Sequence, residues 1–140
     1  MKQILRNIAA VLLGFIAASA VMMLVETING KVFYPDLAKA AEGIKDREAM
    51  RALFASAPIG SLLVVAFGWF VGSIVGTWMC TRISASATTR ASWVLASLLI
   101  LAGVANNLMM PPPMWFWVLG MATLAGGSYL GIRFASQKKQ

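Results

Sequence analysis

The chain has 140 residues, of which 59% are hydrophobic and 12% are charged, and its formal net charge is +7. A soluble domain of this length cannot hide so much apolar surface, which excludes an ordinary water-soluble enzyme or binding domain. The basic residues flank apolar segments and form no clustered basic face, so we expect no nucleic acid among the partners of this protein.

Four apolar segments follow one another along the chain, at about residues 4–28, 58–80, 91–110 and 114–134. Each has roughly the 20 residues that a helix needs to cross a hydrocarbon core of about 30 Å. Runs of this length without alternation of apolar and polar residues indicate helices rather than barrel strands. The sequence therefore predicts an all-α polytopic membrane protein, with a four-transmembrane-helix bundle as a single domain over residues 1–140.

The charged residues between the spans predict the orientation of the chain. The N-terminus, residues 81–90 and the C-terminus carry basic residues without any acid: Lys2, Arg6, Arg82, Arg90, Arg133, Lys138 and Lys139. In segment 31–57, four acids nearly balance five basic residues. Because Lys and Arg are retained on the cytoplasmic side, we expect a multi-pass protein of the bacterial inner (plasma) membrane with both termini cytoplasmic.

The turn signal Asn29–Gly30 is expected to end the first span, and segment 31–57 is expected to form an amphipathic, helical extracytoplasmic loop. Pro35 begins one short helix that Gly43 ends, and Asp46 caps a second helix. Four apolar residues fall on one face of the second helix: Met50, Leu53, Phe54 and Ala57. Such a segment either rests on lipid as a linker or covers a pocket at the mouth of the bundle.

Small residues spaced by four lie on one face of three spans. The strips comprise Ala10, Gly14 and Ala18 in the first span, Gly68, Gly72 and Gly76 in the second, and Gly127 and Gly131 in the fourth. Helices in lipid approach each other closely through such strips, which predicts glycine-zipper packing. The pattern leaves open whether the strips join helices of one chain or subunits of a homo-oligomer.

Glu26 is the only acidic residue within an apolar run. An unpaired carboxylate is costly to bury in a membrane, so Glu26 is a candidate functional residue. Asn29 shares its helix face, and the predicted topology puts Asn106 and Asn107 at the same depth. We predict that these four residues line an outer-leaflet pocket for a cation, a proton or a lipid headgroup. The competing interpretation is a boundary carboxylate that only orients the loop.

Other chemistry has little support in the sequence. The chain lacks histidine, which excludes Ser-His-Asp, Cys-His and HExxH arrangements, and its one cysteine is Cys80. Five methionines are expected near the outer leaflet: Met22, Met23, Met109, Met110 and Met114. Thioethers bind Cu(I), but without His or Cys nearby their packing between helices is the preferred interpretation. We therefore predict no enzyme, no catalytic residue, no cofactor and no metal.

Four short motifs carry a resemblance: Glu26-x-x-Asn29, Tyr34-Pro35, Asn107 and Pro113-x-Trp115-Phe116. Together they resemble a pattern in small, uncharacterised four-span bacterial inner-membrane proteins. The resemblance covers most of the chain and implies the same four-span fold, but no activity comes with it. The chain lacks the early intramembrane acid flanked by aromatic residues that small multidrug transporters have, and it does not resemble the fluoride channels.

These observations favour a non-enzymatic integral membrane protein whose polar pocket binds a lipid or a small ligand, or docks a partner. One alternative is a small oligomeric transporter or channel in which Glu26 is the coupling or selectivity residue. Another is a structural accessory subunit of a larger membrane complex. The inner halves of the spans offer few polar residues, which disfavours a continuous path: Ser73, Thr77, Ser97 and Ser128.

Overall fold

The computed structural model describes residues 1–85 and 89–137, and within these ranges the regular elements are all helical. They are α1 (Lys2–Ile28), α2 (Pro35–Glu42), α3 (Arg47–Ala55), α4 (Ile59–Ile83), α5 (Arg90–Met109) and α6 (Met114–Gln137), with a π-helical turn (Asn29–Phe33) that follows α1 directly. Helices α1, α4, α5 and α6 are long and apolar enough to cross a membrane. The predicted all-α class is confirmed for the described residues.

The α-helix of the first predicted span ends at Ile28, where the Asn29–Gly30 signal predicts, but the chain then continues in a π-helical turn instead of a tight turn. The π-helical turn extends the helical path to Phe33, and this path stops at Tyr34. The reason is a tertiary contact, because the buried Asn29 Nδ2 donates a hydrogen bond to the Ser61 carbonyl oxygen at 3.0 Å. That bond uses the side chain that would otherwise stabilise a local turn.

Two short helices, α2 and α3, connect the first span to α4 and begin and end where capping residues predict. Pro35 is the first residue of α2, and Gly43 follows its last residue. The Asp46 carboxylate accepts a hydrogen bond from the Ala49 backbone N–H at 3.2 Å at the start of α3. These are local signals that need no tertiary partner.

Helix α4 lies at the centre of the bundle and contacts α1, α5 and α6. A Cβ added to Gly76 would lie 2.6 Å from the Gly14 carbonyl oxygen and 2.7 Å from the Ala18 Cβ. A Cβ added to Gly127 would lie 2.6 Å from the Phe70 carbonyl oxygen. Similar contacts occur at Gly68 and Gly72 with α1 and at Gly131 with α4. The glycine strip of α4 is therefore covered by α1 of the same chain.

The two ends of the bundle differ. The start of α1, the end of α6 and the α4–α5 link lie at one end, here named the terminal end, where Arg6 Nε donates to the Ile83 carbonyl oxygen at 2.7 Å. Helices α2 and α3 and the connector 110–113 lie at the other end, here named the loop end. Lys138 and Lys139, which contribute to the predicted charge asymmetry, lie outside the described residues, as do residues 86–88 of the predicted turn.

Gly76→Ala tests the contact between α1 and α4. The added methyl group would lie within 3 Å of the α1 backbone, so the two helices must move apart. We expect the free energy of unfolding to fall by about 1–3 kcal/mol, the usual range for overpacking. Thermal or denaturant unfolding in detergent micelles, followed by circular dichroism, measures this change.

Gly126→Ala in α6 is the matched control, because a Cβ added there meets no atom within 4 Å. It should be neutral or raise the free energy of unfolding by about 0.5–1 kcal/mol, since alanine favours the helix over glycine. Equal effects of the two substitutions would contradict a close α1–α4 contact.

Candidate functional site

A cavity of about 290 Å³ lies at the loop end and is named here the head cavity. Its polar lining residues are Glu26, Asn29, Tyr34, Asn106 and Asn107. Its other lining residues are Gly30, Leu37, Ala38, Ala41, Phe54, Leu62, Val65, Met110, Pro112 and Phe116. The structure thus brings Glu26 and the three asparagines to one cavity, and ligand binding there stays a prediction.

The connecting helices form part of the wall of the head cavity. Leu37 of α2 and Phe54 of α3 both line it and are half-buried. Tyr34, which follows the π-helical turn, also lines it, and a Cβ added to Gly60 would collide with its hydroxyl group. The absence of a side chain at Gly60 therefore makes room for Tyr34 at the start of α4, a role that sequence reasoning missed.

Two asparagines of the head cavity have polar atoms without partners. Asn107 is 1% exposed, and neither its Nδ2 nor its Oδ1 has a hydrogen-bond partner among the described residues. Asn29 donates to the Ser61 carbonyl oxygen, which determines the orientation of its amide, and its Oδ1 has no partner in the described chain. Leaving a buried polar group unpaired lowers the stability of the fold by about 1–3 kcal/mol. A ligand that forms hydrogen bonds with these atoms would remove this penalty, which would favour its binding.

Glu26 differs from the sequence expectation of a buried carboxylate, because its side chain is exposed at the protein surface. The buried Trp69 of α4 lies beside it, because both residues line the space between α1 and α5. Sequence reasoning missed this proximity, because Trp69 lies on α4 and Glu26 lies on α1. No local sequence signal relates the two helices.

A second cavity of about 280 Å³ lies between α1 and α5 and is named here the side cavity. It shares Glu26 and Asn106 with the head cavity. Its other lining residues are Phe15, Ser19, Met22, Met23, Trp69, Leu99, Ala102, Gly103 and Leu124. Phe15 lies about three helical turns from Glu26, or about 16 Å along α1, so the side cavity extends a long way towards the middle of the bundle.

Glu26 is the only charged residue among those that line either cavity. The five methionines expected near the outer leaflet do not gather at one site: Met22 and Met23 line the side cavity, Met110 lines the head cavity, and Met109 and Met114 are exposed. The arrangement around Glu26 is suited to binding a polar group next to an apolar one.

The hydroxyl groups nearer the terminal end are engaged differently. Ser73 Oγ donates to the Phe70 carbonyl oxygen at 2.9 Å, and Thr77 Oγ1 donates to the Ser73 carbonyl oxygen at 2.6 Å. Ser97 is exposed and donates to the Trp93 carbonyl oxygen of its own helix. These three hydroxyl groups satisfy helix carbonyls and so add little polarity to the interior. The buried Ser128 Oγ differs from them, because it has no partner among the described residues.

Comparisons of the chain with family models, with curated proteins and with solved structures found no match. The resemblance to small four-span inner-membrane proteins therefore stays a prediction from the sequence. The geometry of the two cavities is the basis on which a function can be argued.

Asn107→Leu tests whether the amide of Asn107 is unpaired. Removing a buried amide without partners should raise the free energy of unfolding of the purified, ligand-free protein by about 1–2 kcal/mol, because the desolvation penalty disappears. The adjacent head cavity can accommodate the larger side chain. Unfolding in a lipid-free detergent micelle measures the change.

Asn29→Leu is the contrasting control, since it makes the same chemical change at an amide that donates a hydrogen bond. It should lower the free energy of unfolding by about 1–3 kcal/mol, because the Ser61 carbonyl oxygen loses this donor. Destabilisation by Asn107→Leu to the same extent would show that its amide has a partner after all.

Proposed function

We propose that this protein is a non-enzymatic integral membrane protein that binds one amphiphilic lipid molecule. The polar headgroup lies in the head cavity and one acyl chain lies in the side cavity. The observation that carries this proposal is that the two cavities share Glu26 and Asn106. A polar site that adjoins an apolar cavity suits a ligand with one polar end and one apolar end.

Several features support placing the bundle in a membrane. Four helices have the length and hydropathy of spans. Large apolar side chains are exposed on all four, among them Ile16, Phe67, Leu101 and Val118. Such surfaces are unfavourable in water and favourable in lipid. We propose the bacterial inner membrane as the location.

The charges support an orientation with both termini in the cytoplasm. Five basic residues lie in or near the terminal end without an acid among the described residues there: Lys2, Arg6, Arg82, Arg90 and Arg133. The acids of the connecting segment lie at the loop end: Asp36, Glu42, Asp46 and Glu48. The excess of Lys and Arg marks the cytoplasmic side, so the head cavity belongs to the outer leaflet.

The depth of the side cavity fits an acyl chain. The distance along α1 between Glu26 and Phe15, about 16 Å, is close to half the thickness of a hydrocarbon core of about 30 Å. A chain that enters beside Glu26 would therefore occupy the depth of one leaflet. The lining of the cavity is mostly apolar, with Leu99 and Leu124 on the side opposite α1.

The packing between α4 and α6 favours a pocket over a transport path. A Cβ added to Gly131 would collide with Thr77 Oγ1, and one added to Gly127 would collide with Ser73 Oγ. The two helices therefore leave little room between them in the terminal half, where a channel would need water. A lipid site that opens at one end of the bundle requires no such path.

Ala102→Trp tests the side cavity. Ala102 lines it from α5, so an indole ring at this position would exclude an acyl chain. Each methylene group of the acyl chain that is no longer buried costs about 0.8 kcal/mol of binding free energy. Exclusion of only two of them therefore weakens lipid binding roughly tenfold. Native mass spectrometry of the gently extracted protein should show a fall in retained lipid of about this size or larger.

Ala105→Trp is the matched control, because Ala105 is exposed on the same helix and lines neither cavity. It should retain lipid as the unsubstituted protein does. Retention by Ala102→Trp at the level of the control would refute the proposed acyl-chain site.

A further inference from the structure

The charge balance of the cavities restricts the headgroup. Glu26 is the one charged residue among those lining the two cavities, and neither Lys nor Arg lines them. An anionic headgroup would meet a carboxylate with no compensating cation among the lining residues, whereas a cationic headgroup would form an ion pair with it. The lining therefore favours a positively charged group beside Glu26.

The unpaired atoms of the head cavity add a second restriction. Asn29 Oδ1 and Asn107 Oδ1 are buried acceptors without partners among the described residues, and Asn107 Nδ2 is the one unpaired buried donor beside them. Asn29 cannot reverse its amide without losing its bond to the Ser61 carbonyl oxygen. Together with the Glu26 carboxylate, these oxygens form a set of acceptors that calls for N–H donors, and a primary ammonium group has three.

The apolar wall is compatible with a cation. Tyr34, Phe54 and Phe116 line the head cavity, and aromatic rings attract an ammonium group that lies over their faces. Phe116 is held in place by an edge-on contact with Trp69, with ring centroids 5.4 Å apart. The same tryptophan lines the side cavity together with Glu26, so the aromatic wall and the carboxylate adjoin one another.

We infer that the head cavity selects a lipid with a primary ammonium headgroup, of the ethanolamine type. This inference rests on the proposed lipid site and adds the chemistry of its headgroup. A trimethylated ammonium of the choline type has no N–H and leaves the asparagine oxygens unpaired. A phosphoglycerol headgroup has no cation for Glu26.

The test is a competition among three lipids with identical acyl chains. Lipid-stripped protein is mixed with equal amounts of phosphatidylethanolamine, phosphatidylcholine and phosphatidylglycerol, and native mass spectrometry measures the bound fraction of each. We expect the ethanolamine lipid to exceed each of the others about tenfold, which corresponds to about 1.4 kcal/mol. Equal or stronger retention of the choline lipid would overturn the argument from N–H donors, and preference for the glycerol lipid would overturn the argument from charge.

Glu26→Gln keeps the size of the side chain and removes its charge. It should reduce the ethanolamine preference to roughly twofold or less, since most of the ion pairing is lost, while the side cavity still retains lipid. Asn107→Leu, which is expected to fold stably, should also weaken the preference because it removes one acceptor. An unchanged preference in both variants would overturn the inference.

Two further arms separate the possible failures. The first uses glycerophosphoethanolamine, which has the headgroup without acyl chains. If it competes as strongly as the intact lipid does, the ligand is a soluble amine, and the inference that the ligand is a lipid is overturned. Ala102→Trp should abolish retention of all three lipids. If it does so while the unsubstituted protein shows no headgroup preference, the acyl-chain site stands and the ammonium inference fails. If Ala102→Trp has no effect, the proposed function itself fails.

Discussion

Close contact between α1 and α4 is the constraint on which the rest of the structure depends. A Cβ added to Gly14 would lie 2.7 Å from the Gly76 carbonyl oxygen and 2.6 Å from the Leu95 Cδ2 of α5. Three helices therefore meet at this level of the bundle. Between this level and the loop end, α1 and α5 line the side cavity together. The helices are thus tightly packed around Gly14, and an apolar space lies between α1 and α5 nearer the loop end.

One polar contact couples the loop end to this packing. The hydrogen bond from Asn29 Nδ2 to the Ser61 carbonyl oxygen ties the π-helical turn to the first turn of α4. Beside it, Tyr34 occupies the space left open by Gly60. A π-helical turn inside a helix is frequently found at functional sites, and here it brings Asn29 and Tyr34 to the same cavity. Contacts within the protein itself therefore organise the cavity wall.

The polarity of the interior is unequal between the two ends. Near the terminal end, hydroxyl groups such as Thr77 Oγ1 bond to helix carbonyls. At the loop end, the amide of Asn107 is buried without a partner in the described chain, close to a carboxylate. Most buried polar groups in folded proteins are paired, and exceptions that lower stability concentrate at functional sites. The buried Ser128 Oγ near the terminal end also has no partner among the described residues, but it lines neither cavity. An unpaired amide that shares a cavity with a carboxylate is therefore the physical basis for assigning function to the loop end.

The sequence by itself determined the helical class, the approximate limits of the four long helices, and the start of α2 at Pro35 and of α3 after Asp46. Hydropathy and capping are local properties, so residues near one another in the chain suffice to predict them. The sequence also predicted that Glu26 and Asn107 lie at the same level of the bundle, where both line the head cavity. This prediction needs only the lengths of the helices and the fact that successive spans run in opposite directions.

Only the tertiary structure decided which surfaces of these helices meet. The π-helical turn after α1, the proximity of Trp69 to Glu26, and the side cavity beside Ala102 were absent from the sequence prediction. Each depends on the distance and rotation between helices that are far apart in the chain. Periodicity reports which face of a helix is apolar, but it does not report which neighbour covers that face or where two helices leave a space.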